Sequence, residues 1–234
     1  MSRPVHGSLL DDLGARIVDG SLATGDVLTA ASLEEEYSVS RTVVREAVQA
    51  LETLGMVASR RRVGITVQPR ESWDAFAPRV IAWNLGSPHR KAQLEALMEL
   101  RVAVEPMAAR LAAERASDEQ RAELTRIADR LREIGEAGQG RSEEFLRLDV
   151  AFHDLLLAAS GNLQLIALRH PVAEVLNGRS RLGMTPSIPA PGTLEEHQEV
   201  AGAVAAGDGL AAEAHSRAHM LGVWAEIQED RTLE

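Results

Sequence analysis

The stretch that decides the fold of this chain is VSRTVVREAVQALETLGMV, residues 39–57. Ser40 is a favourable helix N-cap, and Gly55 is a favourable helix terminator. Between them the apolar residues recur at helical spacing and form one stripe: Val44, Ala47, Val48, Leu51 and Leu54. Arg41 and Arg45 lie four residues apart near the start of this helix, so they share one face. Such a helix is typical of one that enters the major groove of DNA.

The flanking segments predict the rest of a winged helix-turn-helix. Leu9–Val18 and Ala31–Tyr37 have the spacing of two shorter helices. Met56–Val67 is rich in β-branched residues, which a basic turn, Arg60-Arg61-Arg62, interrupts. This pattern predicts a two-stranded hairpin with a basic tip. Three helices followed by such a hairpin outline a winged DNA-binding module.

The net charge of −10 does not exclude a nucleic-acid partner, because the charge is unevenly distributed. Residues 1–70 carry eight Arg and nine Asp or Glu, so most of the negative charge lies beyond them. Within residues 40–64, five Arg stand against two Glu. Phosphate binding depends on the face that a protein presents rather than on its total charge.

Composition narrows the class of protein. Hydrophobic residues make up 45% of the chain and aromatic residues only 3%, which favours closely packed helices. The absence of cysteine excludes disulfides and thiolate zinc sites. No apolar run approaches the roughly 20 residues of a membrane span, and the start, MSRPVHGSLLDD, lacks the apolar core of a signal peptide. We therefore expect a cytoplasmic protein with no membrane partner.

The pattern changes at Gln68–Ser72, which is the best linker candidate. Beyond it the spacing predicts helices near 73–83, 92–115, 118–137, 142–159, 163–178, 193–206 and 208–229. The Pro-rich run Met184–Gly192 predicts a loop. The expected domains are a winged helix-turn-helix, a linker with a connecting helix, and an all-helical domain, at residues 1–70, 71–91 and 92–234.

Four residues of the helical part can form a metal site. Asp149 and His153 are four apart on one predicted helix, and His197 and His219 lie on the last two. Three imidazoles and one carboxylate suit zinc, nickel or manganese. The spacing leaves alternatives open, because isolated histidines are more often surface or hydrogen-bonded core residues. His215 and His219 are also four residues apart and form a rival pair.

The first part of the chain resembles the GntR family of bacterial regulators. The matching features are the helix Ser40–Val48, the segment Leu51–Gly55 and a glycine in the wing, over roughly residues 9–67. The resemblance implies that Arg41 and Arg45 contact operator DNA and that the wing glycine lets the backbone approach it. With hydroxyls that can donate to phosphate, the candidate DNA-binding residues are Ser40, Arg41, Thr42, Arg45, Arg60, Arg61, Arg62 and Gly64. The preceding helix lacks the basic residue that many members carry.

The rest of the chain resembles the helical FCD effector domain of the FadR-type branch, with six or seven helices. The resemblance rests on LRVAVEPMAARLAA from Leu100, FHDLLLAASGN at 152–162, Glu196-His197, and Gly207-Asp208 leading to the last histidine. It implies that a metal binds the four matching positions: Asp149, His153, His197 and His219. His215 falls outside the pattern. Residues 73–83 resemble the connecting helix of the seven-helix members.

A bound metal with open coordination positions can bind a carboxylate effector. Arg101 can bond that carboxylate, or it can pair with Glu105 in its own helix. Asn177, Arg179 and Arg181 are further candidates for polar contacts to the effector, although surface positions explain both arginines equally well.

These features predict a homodimeric, ligand-responsive repressor of an organic-acid or sugar-acid operon. We expect a small hydroxy-carboxylate such as gluconate or galactonate to release it from palindromic operator DNA. One alternative is a metal-dependent enzyme, since Asp and three His can activate water. That alternative finds only Glu196 as a neighbouring base and leaves the DNA-binding part without a role. Another is a regulator that responds to lactate or an acyl-type ligand; the metal residues argue against the acyl type.

Overall fold

The computed structural model describes residues 9–190 and 192–229. The chain divides into two compact units, one up to Gln93 and one from Leu94 onward. Among the helices described, none combines the length and the apolar composition that crossing a membrane requires.

The first unit is a winged helix-turn-helix, as predicted. Its elements are α1 (Leu9–Val18), β1 (Val27–Leu28), α2 (Ala30–Tyr37), α3 (Arg41–Thr53), β2 (Val57–Arg60) and β3 (Gly64–Val67). Ser40 caps α3 by accepting a hydrogen bond from the backbone N–H of Val43 at 3.5 Å. The sheet is antiparallel in the order β1-β3-β2, with Arg60 opposite Gly64 at the tip of the wing. We did not predict β1, because two residues carry no readable periodicity.

The predicted helix near 73–83 begins later than expected. A short 3-10 turn spans Arg70–Ser72, and the helix itself, α4, spans Pro78–Leu85. Proline disfavours helical geometry in the residue before it but suits the first helical position, which explains the shift. Helix α4 packs in the first unit: Val80 belongs to its core, and the indole of Trp83 covers Gly14 of α1.

The second unit is entirely helical within the described residues. Its helices are α5 (Arg90–Arg115), α6 (Asp118–Glu136), α7 (Glu143–Ala159), α8 (Leu163–Ile166), α9 (Arg169–Arg181), α10 (Thr193–Ala206) and α11 (Gly209–Glu229). Their bounds agree with the predicted ones to within two residues, except that the predicted helix 163–178 is divided into α8 and α9. Pro171 explains this break, since it has no N–H and its ring clashes with the carbonyl four residues earlier.

The core of the second unit positions the inward faces of α7, α10 and α11. Helix α10 packs against α6 and α11, and α7 packs against α6 and α9. Fully or nearly fully buried side chains such as Leu131, Phe152 and Val204 fill the space between them. Arg121 joins two helix ends by donating to the carbonyls of Ala113 and Val204. This packing places side chains that are far apart in sequence around one internal site.

Candidate metal centre, effector pocket and DNA-binding face

Three histidines from three helices meet in the interior of the second unit. His153 lies on α7, His197 on α10 and His219 on α11, and each is at most 5% exposed. The ring centroids of His197 and His219 are 4.1 Å apart, and the ring of His153 lies 5.5 Å from each. One nitrogen of each ring lies within 4.8 Å of the others, so the three can bind one metal ion.

Asp149 is on the same side of α7 as His153 and lies against the cluster. Its Oδ1 atom is 3.4 Å from Nε2 of His153 and 3.3 Å from Nε2 of His197. Burial would raise the pKa of this carboxyl, but its contacts with the two histidines outweigh that effect and hold the pKa well below its usual value. All four predicted metal ligands therefore lie together, with the carboxylate ionised.

The cluster has the chemistry that a divalent transition metal requires. Each of the three rings has a buried nitrogen without a hydrogen-bond partner among the described residues: Nε2 of His153, Nε2 of His197 and Nδ1 of His219. Burial, reinforced by the charges of the other two histidines, lowers the pKa of His219 well below its usual value, so its ring is neutral at pH 7. Neutral imidazole nitrogens without a donor are unfavourable in a protein interior but are what zinc, nickel and manganese bind.

Glu105, which the sequence indicated only as a possible partner of Arg101, lies against the histidine cluster. It lies on α5, is fully buried, and accepts from Nε of Arg101 at 2.5 Å. Its other oxygen, Oε2, lies 2.6 Å from Nδ1 of His153. Burial would raise the pKa of Glu105, but Arg101 and His153 overcome this and lower the pKa to about 2. Its spacing from Arg101 predicted the pair with that residue as one alternative, but nothing in the sequence indicates the contact with His153.

A cavity adjoins the cluster and receives Arg101. Arg101 pairs with Glu105, but its Nη1 and Nη2 atoms are buried without a hydrogen-bond partner among the described residues. Arg101 can therefore pair with Glu105 through Nε and still offer Nη1 and Nη2 to an effector carboxylate, so the two expected roles are compatible. The wall contains the four predicted metal ligands, the pair Arg179–Glu226 at 3.0 Å, and part of the Pro-rich loop: Thr185, Pro186 and Pro189.

The structure separates the other predicted effector residues. Arg179 is nearly buried and lines the cavity. Arg181 is exposed, pairs with Glu174 at 3.0 Å and does not line it. Positions two apart on a helix face nearly opposite directions, so these two arginines cannot both reach the cavity from α9. Asn177 is also absent from the wall, for the same reason.

His215 lies outside the cluster of His153, His197 and His219. Its Nδ1 atom lies 2.8 Å from Oε2 of Glu196, and its side chain is about one-third exposed. This pair is a Glu–His contact of the same kind as that of Glu105 with His153, but it is open to solvent.

The candidate DNA-binding residues lie on two exposed parts of the first unit. Arg41, Thr42 and Arg45 are exposed on α3. The arginines at residues 60–62 are exposed at the tip of the wing. The fold of the wing itself requires glycine at position 64, because the φ of Gly64 is 116° and a Cβ there would lie 2.7 Å from the carbonyl oxygen of Leu28.

Comparison with protein families agrees with both halves of this structure. The family described as "Bacterial regulatory proteins, gntR family" matches residues 7–67. The FCD domain matches residues 96–222, which is more than half of the chain. The chain belongs to the GntR family, in the group that carries an FCD domain. It is a DNA-binding transcriptional regulator that responds to a ligand, and the alternative of an enzyme is wrong.

Similar proteins support the assignment of this chain to the GntR family. The chain is 32% identical over 203 residues to the galactonate operon transcriptional repressor of Escherichia coli, covering 86% of this chain and 87% of that protein. It is 33% identical over 213 residues to the regulator LutR of Bacillus subtilis, covering 88% and 94% of the two chains.

Solved structures share its fold. The structure of Lar, which controls the expression of the agr system of Listeria monocytogenes, has a TM-score of 0.57 at 14% identity, over 97% of this chain and 98% of that one. A Streptococcus agalactiae GntR structure has a TM-score of 0.52 at 24% identity, over 92% and 96%. At these identities the likeness concerns the fold alone.

Proposed function

We propose that this GntR/FCD regulator is a homodimeric repressor of a catabolic operon and that a small monoanionic hydroxy-carboxylate, such as galactonate or gluconate, releases it from a palindromic operator. The observation that carries the proposal is the convergence of three unpartnered histidine nitrogens and Asp149 on a cavity that also receives free donors of Arg101.

The proposed metal ligands are Asp149, His153, His197 and His219, and zinc is the ion that this donor set suits best, with nickel or manganese as alternatives. When bound, the ion would act as a Lewis acid that can bind a carboxylate and its neighbouring hydroxyl. The protein's own part is to hold the ligands in place. The free Nη1 and Nη2 atoms of Arg101 can bind a carboxylate oxygen by charge-assisted hydrogen bonds.

The charges of the site favour a ligand with one negative charge. Arg101 balances Glu105, and Arg179 balances Glu226. With neutral histidines, Asp149 and a divalent ion together leave one positive charge. A buried site of this kind is best neutralised by one carboxylate, since further unpaired charges are costly to bury. This supports sugar acids and lactate-type acids over di- and tricarboxylates. The likeness to the galactonate operon repressor of Escherichia coli points in the same direction.

The proposed DNA contacts are those of α3 and the wing. Two modules in a dimer would read the two half-sites of a palindrome, because one module makes few base contacts. Residues 1–70 would form the DNA-binding domain, 71–91 the connection and 92–234 the effector domain. A ligand that prefers one arrangement of the dimer then reduces operator affinity by no more than its differential affinity for the two states.

The test combines metal analysis with operator binding. We expect about one zinc, nickel or manganese ion per chain, and a mobility shift of operator DNA that galactonate or gluconate abolishes. His153→Ala should lose the metal and the response to the acid. His215→Ala is the matched control, because its ring lies outside the cluster and should retain both. Full response in the metal-free protein would contradict the proposal, as would thermal stabilisation of the metal-loaded protein by citrate but by no monocarboxylate.

A further inference from the structure

The proposed ligands His153 and His197 each have a partner on the ring nitrogen that faces away from the cluster. For His197 this partner is a backbone carbonyl: Nδ1 lies 2.8 Å from the oxygen of Thr193, one turn earlier on α10. The carbonyl can only accept, so Nδ1 carries the proton and Nε2 presents its lone pair to the cluster. The position of the proton on His197 is therefore set by its own helix.

His153 is held differently. Its Nδ1 atom lies 2.6 Å from Oε2 of Glu105, a side chain on another helix and 48 positions earlier in the sequence. The distance is within hydrogen-bond range, but the pair does not have the alignment of a full hydrogen bond, so the contact rests on proximity and on the charge of the carboxylate. Arg101 fixes the carboxylate from the other side through Oε1 at 2.5 Å. The side chains of Arg101 and Glu105 are at most 1% exposed, so bulk water does not compete for these contacts.

We propose that Glu105 is a positioning residue of the metal centre: it accepts the Nδ1 proton of His153 and so keeps the Nε2 lone pair directed at Asp149 and His197. An anionic acceptor also makes the imidazole a stronger donor than a neutral one does. This inference rests on the metal centre proposed above. It assigns Arg101 a second task, since the same guanidinium that faces the cavity holds the carboxylate that orients His153.

The experiment measures zinc affinity of the full-length protein by competition with a chelating dye at fixed pH. Removing an outer carboxylate partner of a metal-bound histidine weakens binding by about 10–100-fold, and we expect this for Glu105→Gln. Glu196→Gln is the matched control, because it removes the same contact from His215, which lies outside the cluster. It should change the zinc affinity by less than about twofold. Long-range ¹H–¹⁵N spectra should show His153 in the Nδ1–H form in the wild type and as mixed tautomers in Glu105→Gln.

Glu105→Gln leaves the buried Arg101 without its counter-charge and can impair folding. If its thermal melt shows this, the double change Arg101→Met with Glu105→Gln removes both charges and must show the same 10–100-fold loss. Wild-type zinc affinity in either folded variant overturns the role of Glu105, and so does an equal loss in Glu196→Gln. Failure of the wild type to bind zinc, nickel or manganese overturns this inference together with the proposed metal centre. Binding in the wild type with no effect of Glu105 overturns this inference alone.

Discussion

The variant His219→Leu should be more stable than the wild type when no metal is present. When metal is present, it should be less stable than the wild type. In the structure, Nδ1 of His219 is buried with no hydrogen-bond partner among the residues described. A buried polar atom without a partner costs about 1–3 kcal/mol, and leucine has a similar volume without that atom. We therefore expect the free energy of unfolding in EDTA to rise by about 1–3 kcal/mol.

Added metal should make the wild type more stable to unfolding than His219→Leu. At a free zinc concentration 1,000 times its Kd, binding stabilises the wild type by about 4.1 kcal/mol, which exceeds the advantage of the variant in EDTA. The leucine variant loses one of the converging ligands and should gain little of this. Acid pH gives a further check, since the pKa of His219 is held well below its usual value by burial. As pH falls below about 6.5, the unfolded chain takes up a proton that folded His219 does not, so the advantage of the variant in EDTA should grow.

Urea unfolding followed by circular dichroism, with EDTA or with buffered zinc, measures both effects on the full-length protein. The transition that responds to zinc reports on the second unit. His215→Leu is the control: it removes a partly exposed contact with Glu196, for which we expect about 0–1 kcal/mol of destabilisation and an unchanged response to zinc. Lower stability of His219→Leu in EDTA would refute the reasoning. So would undiminished stabilisation of that variant by zinc.

Three further predictions concern other parts of the molecule. Arg45→Ala should weaken binding to the specific operator by about 1–3 kcal/mol in a mobility-shift titration at fixed salt; unchanged affinity would exclude it from the reading surface. Gly55→Ala should destabilise the first unit by about 1–3 kcal/mol or more in thermal unfolding, because φ is 71° and a Cβ would lie 2.0 Å from the carbonyl oxygen of Ser72; an unchanged melting temperature would contradict this. Because the pKa of Glu105 is lowered to about 2, its ionised form should stabilise the metal-free protein above about pH 4.5, and this stability should be lost as pH falls towards 2, with Glu105→Gln removing that part of the acid profile.

The DNA-binding unit could be predicted closely because its signals are local. A cap at Ser40, a stripe of apolar residues and a glycine stop determine α3 within one short segment. The strand β1 and the start of α4 were not found correctly. The two residues of β1 depend on pairing with β3, and α4 is displaced by the backbone restriction at Pro78.

The four residues proposed to bind metal were named from their spacing and from the FCD resemblance, and the structure brings them together. Tertiary packing alone decided the rest of the site. Arg179 faces the cavity and Arg181 does not, because the rotation of α9 against α7 selects one side of the helix.

The sequence by itself determined the helices, the winged module and the family, because caps, turns and periodicity act between residues that are close along the chain. Only the tertiary structure decided that Glu105 lies against His153 and that Trp83 covers Gly14. These contacts join residues dozens of positions apart, and they form only once buried apolar surfaces have set how the helices pack.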